Sequence, residues 1–283
     1  MSKGAVIFAL NTGSVDYVLM SIYCAERIKK YLDIPVSIIT DSKDWLLTTY
    51  PDDVQVFDKI IEIKAETNQL KRFYDGALAS SVLPWKNTAR NHAYNLSPYD
   101  TTLVVDSDYI INSDRLKHAF DVDAEFQIYS GSTDLAEWRD KFDEFKFINQ
   151  YSVKFYWATV IVFKKTPAVE ALFETVAYIK HNWDYFRFLY KIDAPLFRND
   201  FAFSIAIHLL NDNQQGDFAY PLPGSMVFCL DRDVLNAVKD DKMQFLVEKE
   251  NYSGEYTLVK TEGIDVHVMN KKSLIRLIEE LYE

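Results

Sequence analysis

Cysteine is nearly absent from this 283-residue chain: Cys24 and Cys229 are the only two. They are too few for a disulfide framework and lack metal-site spacing, so two reduced, buried thiols are expected. Glycine and proline number eight each, which excludes collagen-like, linker-rich and low-complexity architectures. No apolar run approaches the roughly 20 residues of a membrane helix. The opening run Ala5 to Leu10 is too short for a signal h-region and has no credible basic segment before it. Positive charge is also in deficit, with 31 Lys and Arg against 42 Asp and Glu and a net charge of −11. That argues against a broad basic face for indiscriminate nucleic-acid binding and leaves room only for a local basic groove. These absences together predict a soluble, cytoplasmic protein with no membrane partner.

What is present points to a large core. The chain is 48% hydrophobic and 15% aromatic, enough for one large domain or two intimately packed ones. Ala5 to Leu10 reads as a buried strand ending in the turn formers Asn11-Thr12-Gly13-Ser14. Val15 to Leu32 has helical spacing, with Val18, Ile22, Ala25, Ile28 and Leu32 on one face, and Val36 to Thr40 is a second strand ending at Asp41. Strand, helix, strand implies parallel pairing through a right-handed crossover. Further strands are expected at Phe57 to Ile63, Leu103 to Val105, Phe126 to Tyr129 and Phe155 to Phe163. Helices are expected at Ala168 to Trp183, Asp200 to Leu210 and from a Ser273 cap to about Leu281. The reading is an α/β fold in a single domain over residues 1–283. A nucleotide-binding half runs to about residue 125 and an acceptor-facing half follows. Ligands in such sheets sit beyond the carboxyl ends of the strands, where Asn11, Asp41 and Asp106 fall.

The richest segment is Leu103-Val104-Val105-Asp106-Ser107-Asp108. Two acids at the end of a buried strand are costly unless a positive partner meets them. A divalent cation meets that need, since oxygen ligands suit Mg²⁺ or Mn²⁺ and such ions are commonly shared with substrate phosphates. In an extended segment, positions i and i+2 point the same way, so Asp106 and Asp108 can face one ion. Asp41 is either a nucleoside ligand or a turn-starting acid. Lys86 and Arg90 would share a face if that segment is helical. Trp138, Trp157 and Trp183 offer stacking surfaces, though most aromatics here suit a core.

These motifs, in this order, resemble the nucleotide-sugar glycosyltransferases of GT-A fold, a Rossmann-like αβα sandwich with a mixed central sheet. Asp106 and Asp108 match that family's Asp-x-Asp motif. Ala5 to Asn11 resembles the strand that reaches the nucleotide base. Trp157 to Phe163 resembles the strand behind the sugar in glycogenin-like enzymes, although the usual Asn and Gly are missing. His267-Val268-Met269-Asn270-Lys271 is similar to their late motif. The resemblance implies that His267 completes the metal shell, that Lys271 meets the diphosphate with Lys272 as its rival, and that Lys86 or Arg90 contacts donor phosphates or the metal-site acids. It also puts Asp200 near the reacting sugar, as base, positioning group or nucleophile, unless it merely caps a helix. The implied enzyme is a Mn²⁺- or Mg²⁺-dependent hexosyl- or pentosyltransferase, with a UDP-sugar favoured as donor.

As a whole the sequence is similar to a group of phage-encoded GT-A proteins, notably over Lys71 to Gly76 and Phe201 to His208. That resemblance implies transfer, possibly of arabinose, to 5-hydroxymethylcytosine in phage DNA inside the host cytoplasm. Arg139, Lys141, Lys146 and Lys154, interleaved with Phe142, Phe145, Phe147 and Tyr151, would then form a strip for backbone and flipped base, or else an ordinary solvated face. Trp157, Arg139 and Lys146 are the candidate acceptor contacts. A polysaccharide, lipid-linked glycan or protein acceptor is the alternative. A nucleotidyltransferase would also use an acidic pair, but Asn11-Thr12-Gly13-Ser14 makes a poor phosphate loop. Intact Asp106, Asp108 and His267 argue against an inert binding protein.

Overall fold

The computed structural model describes residues 2–65, 69–136, 139, 146–149, 153–250 and 253–283. The chain opens with β1 (Lys3–Ala9), buried from Gly4 onward. Gly4 is required there, because the Tyr99 ring fills the space a Cβ would occupy. Helix α1 (Tyr17–Leu32) starts at Asp16, whose carboxylate accepts from the N–H groups of Val18 and Leu19. Then come β2 (Val36–Thr40), the short α2 (Lys43–Thr49) and β3 (Lys59–Glu62). A hairpin of β4 (Gln69–Asp75) and β5 (Ala79–Trp85) turns at Gly76, which takes a φ of +76°. After α3 (Ala93–Leu96) come β6 (Thr101–Val105), β7 (Tyr109–Ile110), β8 (Phe126–Tyr129), β9 (Ser132–Asp134) and β10 (Trp157–Lys164).

Helix α4 (Pro167–His181) carries proline in its first turn, where no N–H is missed, and Thr166 as its cap. It is followed by α5 (Trp183–Leu189) and α6 (Asn199–Leu210). The chain ends with β11 (Tyr220–Pro221), β12 (Met226–Cys229), β13 (Val234–Lys239), β14 (Lys242–Glu248), β15 (Tyr256–Glu262), β16 (Val266–Val268) and α7 (Lys271–Tyr282).

Seven strands form the central sheet, in the order β11-β8-β10-β6-β1-β2-β3. β1 is parallel to β2 and to β6, whereas β10 is antiparallel to both β6 and β8. The expected α/β fold with a mixed central sheet is therefore present. β1, β2 and β6 are buried through their length apart from Lys3, as fully covered strands of such a sheet require. Helix α1 packs on β1 and β2, and α6 packs on β10 and α4. Both cysteines are free and buried. No described helix is long and apolar enough to cross a membrane.

A second sheet, β7-β16-β12-β9, matters more for function. β16 lies antiparallel to β7 with His267 opposite Tyr109, and parallel to β12 with His267 opposite Phe228. The Val268 N–H also donates to the Asp108 carbonyl at 2.9 Å. This register carries a residue from near the end of the chain to the acids that follow β6.

Three expectations are corrected. Asp106 to Asp108 is a turn, closed by a 3.0 Å bond from the Tyr109 N–H to the Asp106 carbonyl, so strand alternation does not align the two acids. Residues 86–89 are not helical, and Arg90 opens a single 3-10 turn, so Lys86 and Arg90 share no helix face. The last helix starts at Lys271, not Ser273, because the Asn270 side chain caps it by accepting from the Ser273 N–H at 3.0 Å. The meander β13-β14-β15 had no sequence-based counterpart.

Candidate active site

The carboxyl end of β6 opens into a cleft of about 410 Å³. Among its walls are Asp106, Asp108, His267, Lys271, Asp200 and Arg90, brought together from four separate parts of the chain. Asp106 is fixed by its own N–H, which donates to the Thr159 carbonyl of β10 at 2.9 Å. Its Oδ1 is ion-paired with the Arg90 guanidinium and accepts from Asn87 at 3.3 Å. Arg90 is itself oriented by a bond to the Ala158 carbonyl. Burial lowers the Arg90 pKa to about 10, against the pull of Asp200 and Asp108, so it stays charged at neutral pH.

Asp108 is held from the other side. Its Oδ2 accepts from Lys271 Nζ at 2.5 Å and lies 3.4 Å from His267 Nε2. Burial raises its pKa, but the attraction of Lys271 and His267 outweighs that and keeps the acid well below the usual carboxylate range. Lys271 is raised in turn: burial opposes its charge and Asp108 more than restores it. The Tyr17 hydroxyl is buried without a hydrogen-bond partner close to this pair, and burial pushes it up to about 12.

A single ligand atom from each of Asp106, Asp108 and His267 falls within 4.8 Å of the other two. His267 Nδ1 is buried and has no hydrogen-bond partner among the described residues. Two carboxylate oxygens and an imidazole nitrogen form a donor set that fits Mn²⁺ or Mg²⁺. Yet Arg90 and Lys271 already offset both acids. The four charges sum to zero, so a divalent cation entering alone meets no net attraction, whereas one entering with a diphosphate leaves the balance nearly unchanged.

Asp200 stands in the first turn of α6. Its Oδ1 accepts from the Ala158 N–H at 2.9 Å and its Oδ2 from Arg198 at 2.7 Å. Burial raises its pKa, but Arg198 and Arg90 outweigh it and hold the group below the usual range. Trp157 also borders the cleft, with its indole 1% exposed and stacked on Phe228 at a centroid distance of 5.6 Å.

Asn11, Asp41 and Lys86 form their own network at the ends of β1 and β2. Lys86 Nζ donates to the Asn11 carbonyl at 2.8 Å and to Asp41 Oδ2 at 3.0 Å. The Asn11 side chain is committed to the start of α1 through Asp16 and the Val18 N–H. None of the three borders the cleft.

Arg139 is a correction. Its guanidinium is 7% exposed and spans Asp134 (2.9 and 2.5 Å) and Asp233 (2.8 and 2.7 Å). A fork so fully bonded inside the protein has no donor left to offer an acceptor. Lys146 is exposed but not part of the cleft wall. Trp183 packs edge-on against Phe197 and face-on against Phe201, which makes it core. Trp138, Lys141, Phe142, Phe145 and Tyr151 lie outside the described residues.

Sequence reasoning missed Arg198, Asn87, Lys71 and Asp231 as cleft residues. Asp231-Arg232-Asp233 repeats the acid spacing of Asp106-Ser107-Asp108. Of that second couple, Asp231 borders the cleft and Asp233 is bonded to Arg139. Spacing alone does not separate the two couples.

No protein-family model and no curated protein matches the chain. Among solved structures it is similar to the glycosyltransferase GlyE of Streptococcus pneumoniae TIGR4, at 14% identity and a TM-score of 0.45, over 79% of this chain and 46% of GlyE. The chain thus spans under half the length of that protein. It is also similar to the galactosyltransferase LgtC, solved with donor and acceptor sugar analogs, at 13% identity and a TM-score of 0.44, over 72% of this chain and 70% of LgtC.

Proposed function

We propose that this chain is a metal-dependent glycosyltransferase of GT-A type that takes its sugar from a nucleotide-sugar donor, with a UDP-sugar favoured. One observation carries the reading: Asp106, Asp108 and His267 converge within 4.8 Å in a cleft that also holds Lys271 and Asp200. In the reaction the bond from the sugar's anomeric carbon to the phosphate oxygen breaks. An acceptor hydroxyl oxygen bonds to that carbon, and its proton passes to the departing diphosphate or to water. Asp106, Asp108 and His267 would hold Mn²⁺ or Mg²⁺, which when bound offsets charge on the departing diphosphate.

The chain's own groups divide the remaining work. Lys271 leaves Asp108 for a diphosphate oxygen and stabilises the leaving group. Asp200 faces the sugar. Arg198 and Arg90 favour its ionised form, which makes it an electrostatic partner for positive charge growing at the anomeric carbon. Of the roles of base, positioning group and nucleophile, we favour positioning and stabilising the sugar. The Asn11, Asp41 and Lys86 network lies beyond the strand ends that would receive the nucleoside, with Lys86 able to exchange Asp41 for a phosphate.

Thermal unfolding with a panel of nucleoside diphosphates, each with and without Mn²⁺, tests the reading. The melting temperature should rise with one diphosphate, and rise further when Mn²⁺ is added, by mass action on the folded state. A flat response across the panel overturns the proposal. For the acceptor, hydroxymethylated DNA loses the support of Arg139, and a glycan acceptor needs no basic strip. Nucleoside mass spectrometry after incubation with hydroxymethylated DNA and nucleotide sugars separates them. A gain of one sugar on the base gives DNA, and unchanged base masses remove it.

A further inference from the structure

Five cationic side chains line the cleft: Lys71, Arg72, Arg90, Arg198 and Lys271. Four have polar partners. Arg90 meets Asp106, Arg198 meets Asp200, Lys271 meets Asp108, and Arg72 reaches Ser80 Oγ at 3.5 Å. Lys71 makes no hydrogen bond or ion pair to any described residue. Its position is nonetheless defined. Phe73 is two residues along the same strand, and Trp85 stands diagonally across the hairpin register, so the three side chains share one face. The Lys71 ammonium lies 5.3 Å from the Trp85 ring centre and 5.8 Å from that of Phe73. Two aromatic rings steady the cation without consuming its three donors.

We propose that Lys71 is a second anion-binding residue of this cleft, presented by the β4–β5 hairpin to grip the donor's diphosphate opposite Lys271. The inference rests on the transferase reading and adds a residue and a structural element to it. Loss of solvent around the ammonium at the cleft wall, then repulsion from Lys271 and Arg198, pulls Lys71 down to about 8 against the attraction of Asp108 and Asp231, while the residue as a whole is exposed. Asp108 and Asp231 offset part of the repulsion from Lys271 and Arg198, and a bound polyanion would offset the rest. The hairpin is secured to the body away from Lys71. Arg276 of α7 bonds Asp75 at 2.7 and 2.9 Å, Lys272 bonds Ser81 at 3.0 Å, and the Ala77 N–H donates to the Tyr256 hydroxyl at 2.7 Å. Lys71 is thus held on a braced element.

Calorimetric titration of the full chain with inorganic pyrophosphate, with and without Mn²⁺, tests this on the parent, Lys71→Met and Lys71→Arg. Loss of one charge-assisted contact should weaken pyrophosphate binding about tenfold or more in Lys71→Met, and Lys71→Arg should recover most of it. Thermal unfolding should be unchanged in both variants, since the side chain is exposed. Pyrophosphate binding by Lys71→Met equal to the parent's overturns the proposal, as does a parent that binds no pyrophosphate. If Mn²⁺ has no effect on the parent but Lys71→Met still binds weakly, the metal reading fails and Lys71 stands. If Mn²⁺ strengthens binding and Lys71→Met matches the parent, the reverse holds.

Discussion

Two buried charge clusters in this molecule use the same ingredients and end differently. Around Arg139, one guanidinium meets Asp134 and Asp233, and Asp233 also accepts from the N–H groups of Leu230 and Glu248 at 2.8 and 3.0 Å. Around Asp106 and Asp108, Arg90 and Lys271 supply the opposite charges. In the second cluster, however, Arg90 Nε, Asn87 Oδ1 and His267 Nδ1 are buried without a hydrogen bond among the described residues, and the group opens onto the cleft. The Arg139 cluster is complete on its own and ties strands together. The Asp108 cluster is balanced in charge but incomplete in hydrogen bonding, which is the state of a site that awaits a ligand.

The comparison breaks most visibly at Arg139. Arg139→Met would leave two carboxylates buried without their cation, at a cost of about 3–5 kcal/mol. Chemical denaturation should show that loss directly. A variant as stable as the parent would mean that the Arg139 cluster is not structural. Asp108→Asn should do the reverse. It removes one partner of a buried pair, but Lys271 borders the cleft and also feels the charge of Asp231, so stability should fall by less than in Arg139→Met. Transfer should fall by about 10²–10³ or more, since one proposed ligand of the cation that would offset the departing diphosphate is lost. Product formation followed by mass spectrometry reads the second effect. Equal destabilisation by both substitutions would erase the distinction between the clusters.

The sequence makes one of these clusters more legible than the other, and the reasons are physical. β1, β2 and β6 are apolar through most of their length, and their polar ends mark where each strand stops. Asp106 and Asp108 are therefore legible from a strand end alone. His267 was found only through the resemblance of its neighbourhood, because the register of β16 against β7 is a tertiary fact. The burial of Arg139 is not legible, because its partners, Asp134 and Asp233, come from β9 and from the turn before β13, and nothing local distinguishes a solvated arginine from one that closes a buried fork. The β13–β15 meander went unread because β15 is only half-buried, and its alternation is too weak to stand out from a loop. Ser273 was a sound cap by residue type, but Asn270 lies three positions earlier and its side chain reaches the Ser273 N–H first.

Acid titration sharpens the contrast at intermediate effect. Asp108 and Asp200 both have folded pKa values below the ordinary carboxylate range. The folded state then binds fewer protons than the unfolded one, so stability rises with pH. Their contribution is present in full above the unfolded carboxylate value of about 4 and is lost as pH falls through the lower folded values. Melting temperatures measured from pH 6 down to pH 3 should decline, with most of the fall below about pH 4. Asp108→Asn should flatten that decline. An identical slope in parent and variant would show that Asp108 gains nothing from Lys271.

The smallest effect belongs to the hairpin brace. Asp75 and Arg276 form a bidentate pair, but the arginine side chain is 50% exposed, so solvent screens most of its value. Asp75→Asn should cost about 0.2–1 kcal/mol in global stability, near the limit of a careful denaturation series. Its informative readout is pyrophosphate affinity. The Lys272–Ser81 and Ala77–Tyr256 bonds still hold the hairpin, so Lys71 should stay in place and affinity should change by less than about threefold, under 1 kcal/mol. An affinity loss as large as that of Lys71→Met would show that this single exposed pair sets the hairpin's position. The brace would then belong with the ligand-dependent cleft and not with the self-sufficient cluster around Arg139.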